Sequence, residues 1–477
     1  MAMTRRRFIP ALGGGAVLAA PAAPPERPNI LFIQTDDQRY DDLGSMGNPV
    51  IRTPNLDAIA GEGIRFVNAF VTTAICCSSR ASVLTGQQMW RHGIRDFATP
   101  LSSAQLDLTY PALLQRAGYR TGFIGKYAVG SAPGERGVVD RQGFAPGAAR
   151  PSPGLPSNRF DYWFGFPQSI NFLQVVEGEK RHLTPLLTQR AIEFLRSGPP
   201  GRPFCLSLNF KEPHGPFNYF DPDQPDNYKD VEAVAPPTYT RADFESQPEF
   251  LRKSMNGNAS GQWPADARER FLQSARISYR LVEGVDRAAG RIMWALRDLN
   301  LDRNTVIIFT SDNGSLRGAH GLTGKWLAYE ESIRVPLIVR DPRMPADLRG
   351  SKRGEMVLNI DLAPTMLRLG GVAVPPEMQG RDLCPLLTGA RAPWREDWYY
   401  EHTYTPEDDR LPIARCEAVR TAQWKYIRYF ETTPRYEQLF DLVNDPLERN
   451  NLAARPEQKD RLAAFRKRWM QCRREAE

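Results

Sequence analysis

Four short apolar runs recur along the chain, and each one ends in a cluster of polar residues. The runs are Asn29–Ile33, Thr121–Gly125, Phe204–Leu208 and Val306–Phe309. Continuous apolar runs of this length are typical of strands that are buried on both faces of a sheet. Helical patterns separate these strands, as at Leu106–Ala117 and Ala275–Leu299. The alternation predicts an α/β fold with a large, mainly parallel or mixed sheet between two layers of helices.

The polar residues at the strand ends are the first functional signal. Six of them follow the four runs: Asp36, Asp37, Lys126, His214, Asp312 and Asn313. Taken singly, an Asp pair after a strand is more often a turn or a helix cap, and Asp-Asn-Gly is a common turn. In such sheets, however, ligands bind beyond the carboxyl ends of the strands. We therefore expect these six side chains to converge at one edge of the sheet and to form a site.

The pattern changes near Trp394, where several short strand-like segments follow one another. Residues Leu452–Cys472 then form a charged helical pattern. Together they predict a smaller C-terminal α+β domain with a short antiparallel sheet and a C-terminal helix. Within it, Cys416 and Cys472 are the candidate pair for a disulfide in an oxidising compartment.

Two long segments, 130–167 and 217–264, are rich in Gly, Pro and polar residues and show few regular periods. They are predicted to form loops over the active edge, where substrate selection usually occurs. Packing is the commoner role of an aromatic residue, but six are candidates for stacking on a sugar or aryl ring. These are Tyr162, Trp163, Phe164, Tyr219, Phe220 and Trp326.

The composition fits a globular protein, because 41% of the 477 residues are apolar and 25% are charged. It excludes a disordered chain, a collagen-like chain and a polytopic membrane protein. The 62 Lys and Arg against 55 Asp and Glu give a net charge of +7. Three of these charges, Arg5–Arg7, belong to a leader, and the remainder is too small to indicate a nucleic-acid partner.

Residues 1–23 have the pattern of an export signal. A basic start at Arg5–Arg7 precedes an uncharged stretch of small residues, Pro10–Ala23. This stretch is too short and too weakly apolar to form a stable membrane span. The Arg pair followed by Phe8 resembles a twin-arginine signal, which predicts a periplasmic or secreted protein; a disordered basic tail is the alternative.

The segment around Cys76 carries the strongest signal. Ser79–Leu84 has the pattern of a helix start, and Gly86 can end that helix. A group just ahead of a helix meets free N–H groups, which favours a bound anion or a nucleophile with a lowered pKa. The segment resembles the sulfatase signature, which it matches at Cys76, Ser78, Ser79, Arg80, Leu84, Thr85 and Gly86.

The resemblance to the sulfatase family extends along most of the chain. Asn29–Asp37 is similar to its first strand and acidic pair, and Thr310–Gly314 to its second metal motif. Lys126, Pro213–Phe217 and Lys325 resemble its other active-site elements. The resemblance implies an alkaline phosphatase-like fold, with a catalytic domain over 27–390 and a C-terminal subdomain over 391–477. Within the family it is nearest in pattern to glycan sulfatases, such as N-acetylglucosamine-6-sulfatases.

The resemblance also implies the chemistry of the site. Cys76 would be oxidised by a maturation enzyme to formylglycine, whose hydrated aldehyde attacks the sulfur of a sulfate ester. One Ca²⁺ ion would bind to the modified Cys76 and to Asp36, Asp37, Asp312 and Asn313. Arg80, Lys126 and Lys325 would offset the sulfate charge, and His214 or Lys325 would protonate the leaving oxygen.

Two departures from the family pattern affect this interpretation. No second His follows Lys126, so the base that acts on the second hydroxyl is open, with His320 and the weaker His182 as candidates. Ser78 stands where Pro is most common in the maturation motif. His92 is as consistent with lining the pocket as with a structural role, and His402 has at most a role at the substrate rim.

Three alternatives remain open at the level of sequence. A phosphonate or phosphodiester hydrolase of the same superfamily is the nearest, and an aryl sulfate could replace the sulfated carbohydrate as the substrate. Without conversion of Cys76 the protein would be a non-catalytic binder of sulfated glycans. A dinuclear zinc phosphatase is disfavoured, because the chain has only five His. The expected partners are the substrate, a formylglycine-generating enzyme and the twin-arginine export machinery.

Overall fold

The computed structural model describes residues 27–130, 155–167, 170–176, 179–215, 224–258, 260–404 and 411–477. Its strands are β1 Asn29–Asp36, β2 Ile64–Phe66, β3 Ala69–Phe70, β4 Arg120–Lys126, β5 Tyr162–Phe166, β6 Leu173–Val176, β7 Glu179–His182, β8 Phe204–Pro213, β9 Thr305–Ser311, β10 Leu337–Arg340, β11 Lys352–Arg353, β12 Val357–Leu358, β13 Asp397–His402, β14 Cys416–Thr421, β15 Trp424–Tyr429 and β16 Glu437–Asp441.

The α-helices alternate with these strands over the first part of the chain. They are α1 Pro54–Gly61, α2 Cys76–Thr85, α3 Met89–His92, α4 Ser103–Asp107, α5 Tyr110–Arg116, α6 Leu183–Arg196, α7 Arg241–Ser246, α8 Glu249–Arg252, α9 Ala267–Asp298, α10 Glu330–Ile333, α11 Leu362–Leu369, α12 Cys384–Leu387 and α13 Lys459–Ala476.

The large sheet has eight strands in the order β11-β2-β10-β9-β1-β8-β4-β5. Its central strands β9, β1, β8, β4 and β5 pair in parallel, while β10 runs antiparallel to both of its neighbours. The four apolar runs of the sequence become β1, β4, β8 and β9, which are adjacent in this sheet. The prediction of a large, mainly parallel or mixed sheet is therefore confirmed.

Helices cover both faces of the large sheet because successive residues of each strand point to opposite sides. In β1, Ile30 and Phe32 belong to one core cluster, and Leu31 and Ile33 belong to the other. The second cluster includes the apolar faces of α1, α6 and α9, whereas the first includes those of α2, α5 and α11. Both faces of the strands are thus buried, as their continuous apolar runs require.

A second, four-stranded antiparallel sheet follows, in the order β13-β14-β15-β16. One of its faces joins the first core cluster, and the other packs against α13 through Leu462 and Trp469. The predicted antiparallel sheet and C-terminal helix are confirmed, although the helix begins at Lys459 rather than Leu452. Pro456 lies in a 3₁₀ turn just before it.

Three expectations about local structure were wrong. Tyr162, Trp163 and Phe164 form strand β5 of the large sheet rather than a loop, and Trp163 stacks on Phe123 with ring centroids 4.9 Å apart. Cys416 and Cys472 are free thiols, because they lie on opposite faces of the small sheet in different core clusters. Residues 106–117 are not one helix but contain the end of α4 and the whole of α5, which has Pro111 in its first turn.

Several expectations concern residues outside the described ranges, namely the leader 1–23, part of the first long segment, and Tyr219 and Phe220 of the second. Among the helices that the structure describes, none is both long enough and apolar enough to cross a membrane.

Candidate active site

The polar residues at the strand ends lie together at one edge of the large sheet. Asp36 ends β1, Lys126 ends β4 and His214 follows β8. Asp312 and Asn313 follow β9, the other neighbour of β1. This arrangement follows directly from the parallel pairing of β9, β1, β8 and β4, which brings their carboxyl ends to the same edge.

Cys76 is the first residue of α2, and it faces this cluster. The preceding residue, Ile75, is extended, so the helix begins at Cys76 itself instead of three residues later. The Cys76 side chain is only 1% exposed. Its thiol donates to Asp36 Oδ1 at 3.4 Å and accepts from Lys325 Nζ at 2.8 Å. A residue from the middle of the chain, Lys325, thereby completes a site built mainly from strand ends.

The Cys76 thiol is poorly suited to act as a thiolate. Burial, and next the Asp36 carboxylate, raise its pKa far above the usual range, and Lys126 and Lys325 offset only part of this effect. Reactive thiolates need the opposite shift. The expectation that the helix start lowers the pKa of this nucleophile was therefore wrong for the unmodified side chain.

Arg80 lies one turn further along α2 and contacts residues from three parts of the large sheet. Its Nε donates to Asp312 Oδ2 at 2.9 Å, and its Nη1 donates to the Lys126 carbonyl at 2.8 Å. Nη1 also contacts Asn209 Oδ1 of β8 at 3.2 Å. The side chain is 3% exposed, so these contacts replace its hydration. Asn209 was not predicted from the sequence because it lies inside an apolar strand, where a polar amide would have been the only signal.

Two buried ion pairs bring lysines against the acidic pair. Lys126 Nζ binds Asp36 Oδ2, and Lys325 Nζ binds Asp37 Oδ1. Burial would raise the pKa of Asp36, but the surrounding cations, first of all Lys126, hold it well below the usual value. Burial lowers the pKa of Lys325, but the acidic groups around it, first of all Asp37, together hold that pKa well above the usual value and keep the ammonium charged. Cations and carboxylates therefore alternate around Cys76.

The carboxylates are nonetheless crowded enough to favour an added cation. Burial and the charge of Asp36 together raise the pKa of Asp312 to about 6. One ligand atom from each of Asp36, Asp37, Cys76 and His214 lies within 4.8 Å of the others. Asn313 Oδ1 is buried and has no hydrogen-bond partner among the described residues. Buried oxygen atoms of this kind are the ligands that hard divalent cations prefer, so these residues fit such an ion.

His214 stands at the mouth of the site. Its Nδ1 pairs with the Gly215 carbonyl at 2.8 Å, and its Nε2 lies 3.6 Å from Asp37 Oδ2. The side chain is 36% exposed, in contrast with the buried lysines below it. It is thus the ionisable group of the cluster that an approaching leaving group would meet first.

The other four histidines are directed elsewhere. His92 hydrogen-bonds Ser82 Oγ at 3.0 Å and accepts from the Ile94 N–H at 3.0 Å, which is a structural role within the core. His182 accepts from the first turn of α6, and His402 is fully buried in β13. His320 faces Glu331 at 3.6 Å and stacks on Tyr329. The structure therefore does not bring His182 or His320 into the set of groups that contact Cys76.

Two residues that were not expected from the sequence hold the loop before Cys76. The Tyr400 hydroxyl of β13 accepts from the Ala74 N–H at 3.2 Å and donates to the Trp326 carbonyl at 2.5 Å. Asn359 accepts from the Thr72 N–H at 3.1 Å and donates to Ser79 Oγ at 3.0 Å. Trp326, next to Lys325, contributes its backbone carbonyl to this bridge.

Comparison with known proteins identifies the family. The sulfatase family model matches residues 28–372, and the model of the N-sulphoglucosamine sulphohydrolase C-terminal region matches 318–475. The chain is 29% identical to an N-acetylglucosamine-6-O-sulfatase of Bacteroides thetaiotaomicron, over 91% of this chain and 84% of that protein. It is also 29% identical to an arylsulfatase of Clostridium perfringens, over 92% and 93% of the two chains.

Solved structures give the same result for the fold. A protein in complex with its substrate D-glucosamine-2-N,6-O-disulfate aligns with a TM-score of 0.71 and 26% identity, over 94% of this chain and 98% of that one. The phosphonate monoester hydrolase of Agrobacterium radiobacter aligns with a TM-score of 0.76, at 22% identity over 94% and 96% of the two chains, and shows the shared fold alone. The chain belongs to the sulfatase family, with the alkaline phosphatase-like fold of that superfamily, and is a sulfuric ester hydrolase.

Proposed function

We propose that the protein removes sulfate from a sulfated carbohydrate, with formylglycine made from Cys76 and one bound Ca²⁺. One observation carries this proposal: Cys76 begins a helix in direct contact with Lys325 and Asp36, at the edge where the other strand-end residues meet. Its raised thiol pKa argues against a cysteine nucleophile. Conversion would give this position an aldehyde, whose hydrate supplies a nucleophilic oxygen.

Calcium is proposed to bind to Asp36, Asp37, Asp312, Asn313 and the modified Cys76. The support is the donor set, which consists of three carboxylates and a buried amide oxygen. When bound, the ion would hold the sulfate group and neutralise part of its charge.

Side chains of the protein are proposed to stabilise the charge of the sulfate and to protonate the leaving oxygen. Arg80, Lys126 and Lys325 each form an ion pair with a carboxylate of the site, so they are already oriented before a sulfate arrives. Preorganised charges of this kind stabilise charge that develops in the transition state. His214, at the mouth, is placed to donate a proton to the leaving oxygen, and Lys325 is the alternative donor.

A carbohydrate substrate is supported by the relatives. The N-acetylglucosamine-6-O-sulfatase and the structure solved with a glucosamine disulfate both have glycan substrates by name, and both align over more than nine tenths of this chain. The arylsulfatase relative keeps an aryl sulfate as the alternative substrate.

The first experiment determines the state of Cys76. Mass spectrometry of the tryptic peptide 66–80 from the native host should show the mass loss that accompanies replacement of the thiol by an aldehyde. A thiol that is unmodified in every copy would leave only the reading of a non-catalytic sulfated-glycan binder.

The second experiment separates sulfate from phosphorus substrates. Turnover of 4-nitrophenyl sulfate and of a sulfated glucosamine should exceed that of a phosphonate monoester and a phosphodiester, and a calcium chelator should abolish it. Faster turnover of the phosphorus esters would instead assign the protein as a phosphonate or phosphodiester hydrolase of the same superfamily.

The same proposal covers export and domain organisation. Residues 1–23 are proposed as a twin-arginine leader, followed by a catalytic domain over 27–390 and a C-terminal subdomain over 391–477; the start of β13 at Asp397 supports the last boundary. A combined Arg5→Lys and Arg6→Lys change should retain the protein in the cytoplasm. Export of that variant at the normal level would reject the twin-arginine route.

A further inference from the structure

A groove between α6 and α9 lies outside the site described above. It consists of two cavities, of about 380 and 330 Å³, which meet at Arg291. The first is bordered by the start of α6 and by Glu212, only two residues before His214. The second lies towards the end of α6, at Arg196, and reaches Trp294 of α9. The groove therefore starts near the active edge of the sheet and leads away from it along the helices.

Trp294 is exposed without any packing reason. Its exposed fraction is 59%, the largest of any aromatic side chain in the described part of the chain. Ile192 of α6 lies beside it in the same cavity. An indole face held in this way, next to polar groups, is suited to stack on the apolar face of a sugar ring.

Two arginines flank Trp294, and neither forms an ion pair within the described part of the chain. Both Arg196 and Arg291 are exposed, and neither forms an ion pair or hydrogen bond with any residue that the structure describes. The acid between them, Glu193, is already bound by Arg190 at 2.8 Å and by Gln189 at 2.9 Å. The second cavity therefore carries net positive charge, and guanidinium groups match the oxygens of a sulfate.

The inner cavity offers a different kind of partner. Glu212 is fully buried, and one of its oxygens accepts from the Thr184 hydroxyl. The other oxygen, Oε2, has no hydrogen-bond partner within the described residues. A carboxylate repels sulfate but accepts a hydroxyl donor. The groove thus offers a hydroxyl acceptor in its inner cavity and an aromatic face flanked by two arginines in its outer one, and a sulfated carbohydrate presents the matching groups.

We propose that the α6–α9 groove binds a stretch of a sulfated polysaccharide at a distance from the ester that is hydrolysed. The choice of a sulfated carbohydrate rests on the proposed function. Helix α6 has 14 residues and is about 21 Å long, which is enough for several sugar units. The protein would then act on polymers that it holds outside the catalytic pocket as well as within it.

The test compares groove variants with a control on the same helix. The groove variants are the double change Arg196→Gln with Arg291→Gln, and Trp294→Ala. The control is Arg297→Gln, because Arg297 is also on α9, is 57% exposed and lines neither cavity. All three changes are at the surface, where folding is little affected. Heparin is the probe for binding, by calorimetry and by salt elution, and 4-nitrophenyl sulfate is the probe for turnover.

We expect the double variant to weaken heparin binding about tenfold or more and Trp294→Ala to weaken it severalfold, while Arg297→Gln changes it less than twofold. Turnover of 4-nitrophenyl sulfate should stay unchanged in all of them. Equal weakening by Arg297→Gln, or binding of unsulfated polygalacturonate as tight as that of heparin, would show general charge attraction and overturn the proposal. Wild-type protein that binds heparin through the groove but hydrolyses neither 4-nitrophenyl sulfate nor a sulfated glucosamine would contradict the proposed hydrolysis and leave the groove assignment standing.

Discussion

At the scale of single residues, Arg80 connects more of the site than any other side chain. Its guanidinium reaches the Asp312 carboxylate after β9, the Lys126 carbonyl at the end of β4 and Asn209 within β8. The planar fork of an arginine can make these contacts at once, whereas an ammonium group is a single point. A substitution can therefore separate the contribution of the positive charge of Arg80 from that of its planar, forked shape.

Arg80→Lys keeps the charge and removes the fork. We expect kcat for 4-nitrophenyl sulfate to fall about 10²-fold, because the ammonium group that replaces the guanidinium loses the contacts that orient the charge towards the developing negative charge. The melting temperature should be measured in parallel, because Arg80 also pairs with the buried Asp312 and its substitution can lower the stability. Arg91→Lys, on the exposed side of α3, is the control, and a kcat for Arg80→Lys equal to that of this control would contradict the assigned role.

At the scale of elements, β13 of the small sheet supports the loop that precedes Cys76. Alternate residues of β13 point to opposite faces. Tyr400 faces the site loops, where its hydroxyl bridges Ala74 and Trp326. Tyr399 is on the face that packs against α13, and its hydroxyl donates to Glu417 of β14 at 2.7 Å. A Tyr→Phe substitution therefore removes one hydroxyl beside the site at position 400, and one hydroxyl away from the site at position 399.

Tyr400→Phe removes the bridge between the Cys76 loop and the Lys325 loop. We predict a fall in kcat of about tenfold with little change in KM, because the two loops lose their fixed separation. Tyr399→Phe should cost a similar stability, about 1 kcal/mol, and leave kcat unchanged. Identical kinetics for the two variants would show that Tyr400 is only structural.

Asp286 of helix α9 caps the first turn of α1, and this contact makes the free energy of unfolding depend on pH. Asp286 Oδ1 accepts from the N–H groups of Asn55 at 3.0 Å and Leu56 at 2.8 Å, in the first turn of α1. Burial raises the pKa of Asp286 to about 6. The folded state therefore binds more protons than the unfolded state between about pH 4 and 6, so this residue lowers the free energy of unfolding as the pH rises through that window.

Asp286→Asn should remove this dependence. Relative to the variant, wild type should lose stability between about pH 4 and 6, by an amount on the order of 2 kcal/mol, and stay level above that window. Urea unfolding at several pH values measures the difference. A constant difference across the window, or one that grows in favour of wild type, would refute the linkage.

The strands and the strand-end residues could be predicted because the signal is local. A run such as Ile30–Ile33 is apolar on both faces, and the parallel rule then places Asp36 and Asp312 together. Tyr162–Phe164 was misread because a short aromatic strand at the sheet edge looks like part of its Gly- and Pro-rich surroundings. The role of Tyr400 had no local signal at all, since its partners lie 326 and 74 residues away in the chain.

At the scale of the whole molecule, buried charges join the small sheet to the region that follows Lys325. Lys425 of β15 has no solvent exposure and binds Glu330 and Glu448, each at 2.8 Å. It also donates to the Ala328 carbonyl at 2.9 Å. Burial alone would raise the pKa of Glu330, but Arg420 and then Lys425 outweigh it and keep the carboxylate charged.

Lys425→Met should destabilise the protein by about 3–5 kcal/mol, because it leaves buried carboxylates without their shared cation. The free energy of unfolding in urea measures this. Lys459→Met, at an exposed position of α13, should change it by less than about 0.5 kcal/mol. Should Lys425→Met match that control, the network would be dispensable for holding the two sheets together.

The burial of Cys76 sets a time limit on its proposed conversion. With 1% exposure beneath Lys325, the side chain is accessible to another enzyme only before the fold closes over it. The ribosome adds Lys325 249 residues after Cys76, so at about 5–20 residues per second the two residues are separated by roughly 10–50 seconds of synthesis. A twin-arginine leader would then carry a chain that is already folded. The oxidation of Cys76 would therefore be complete in the cytoplasm, before the protein reaches the compartment in which it acts.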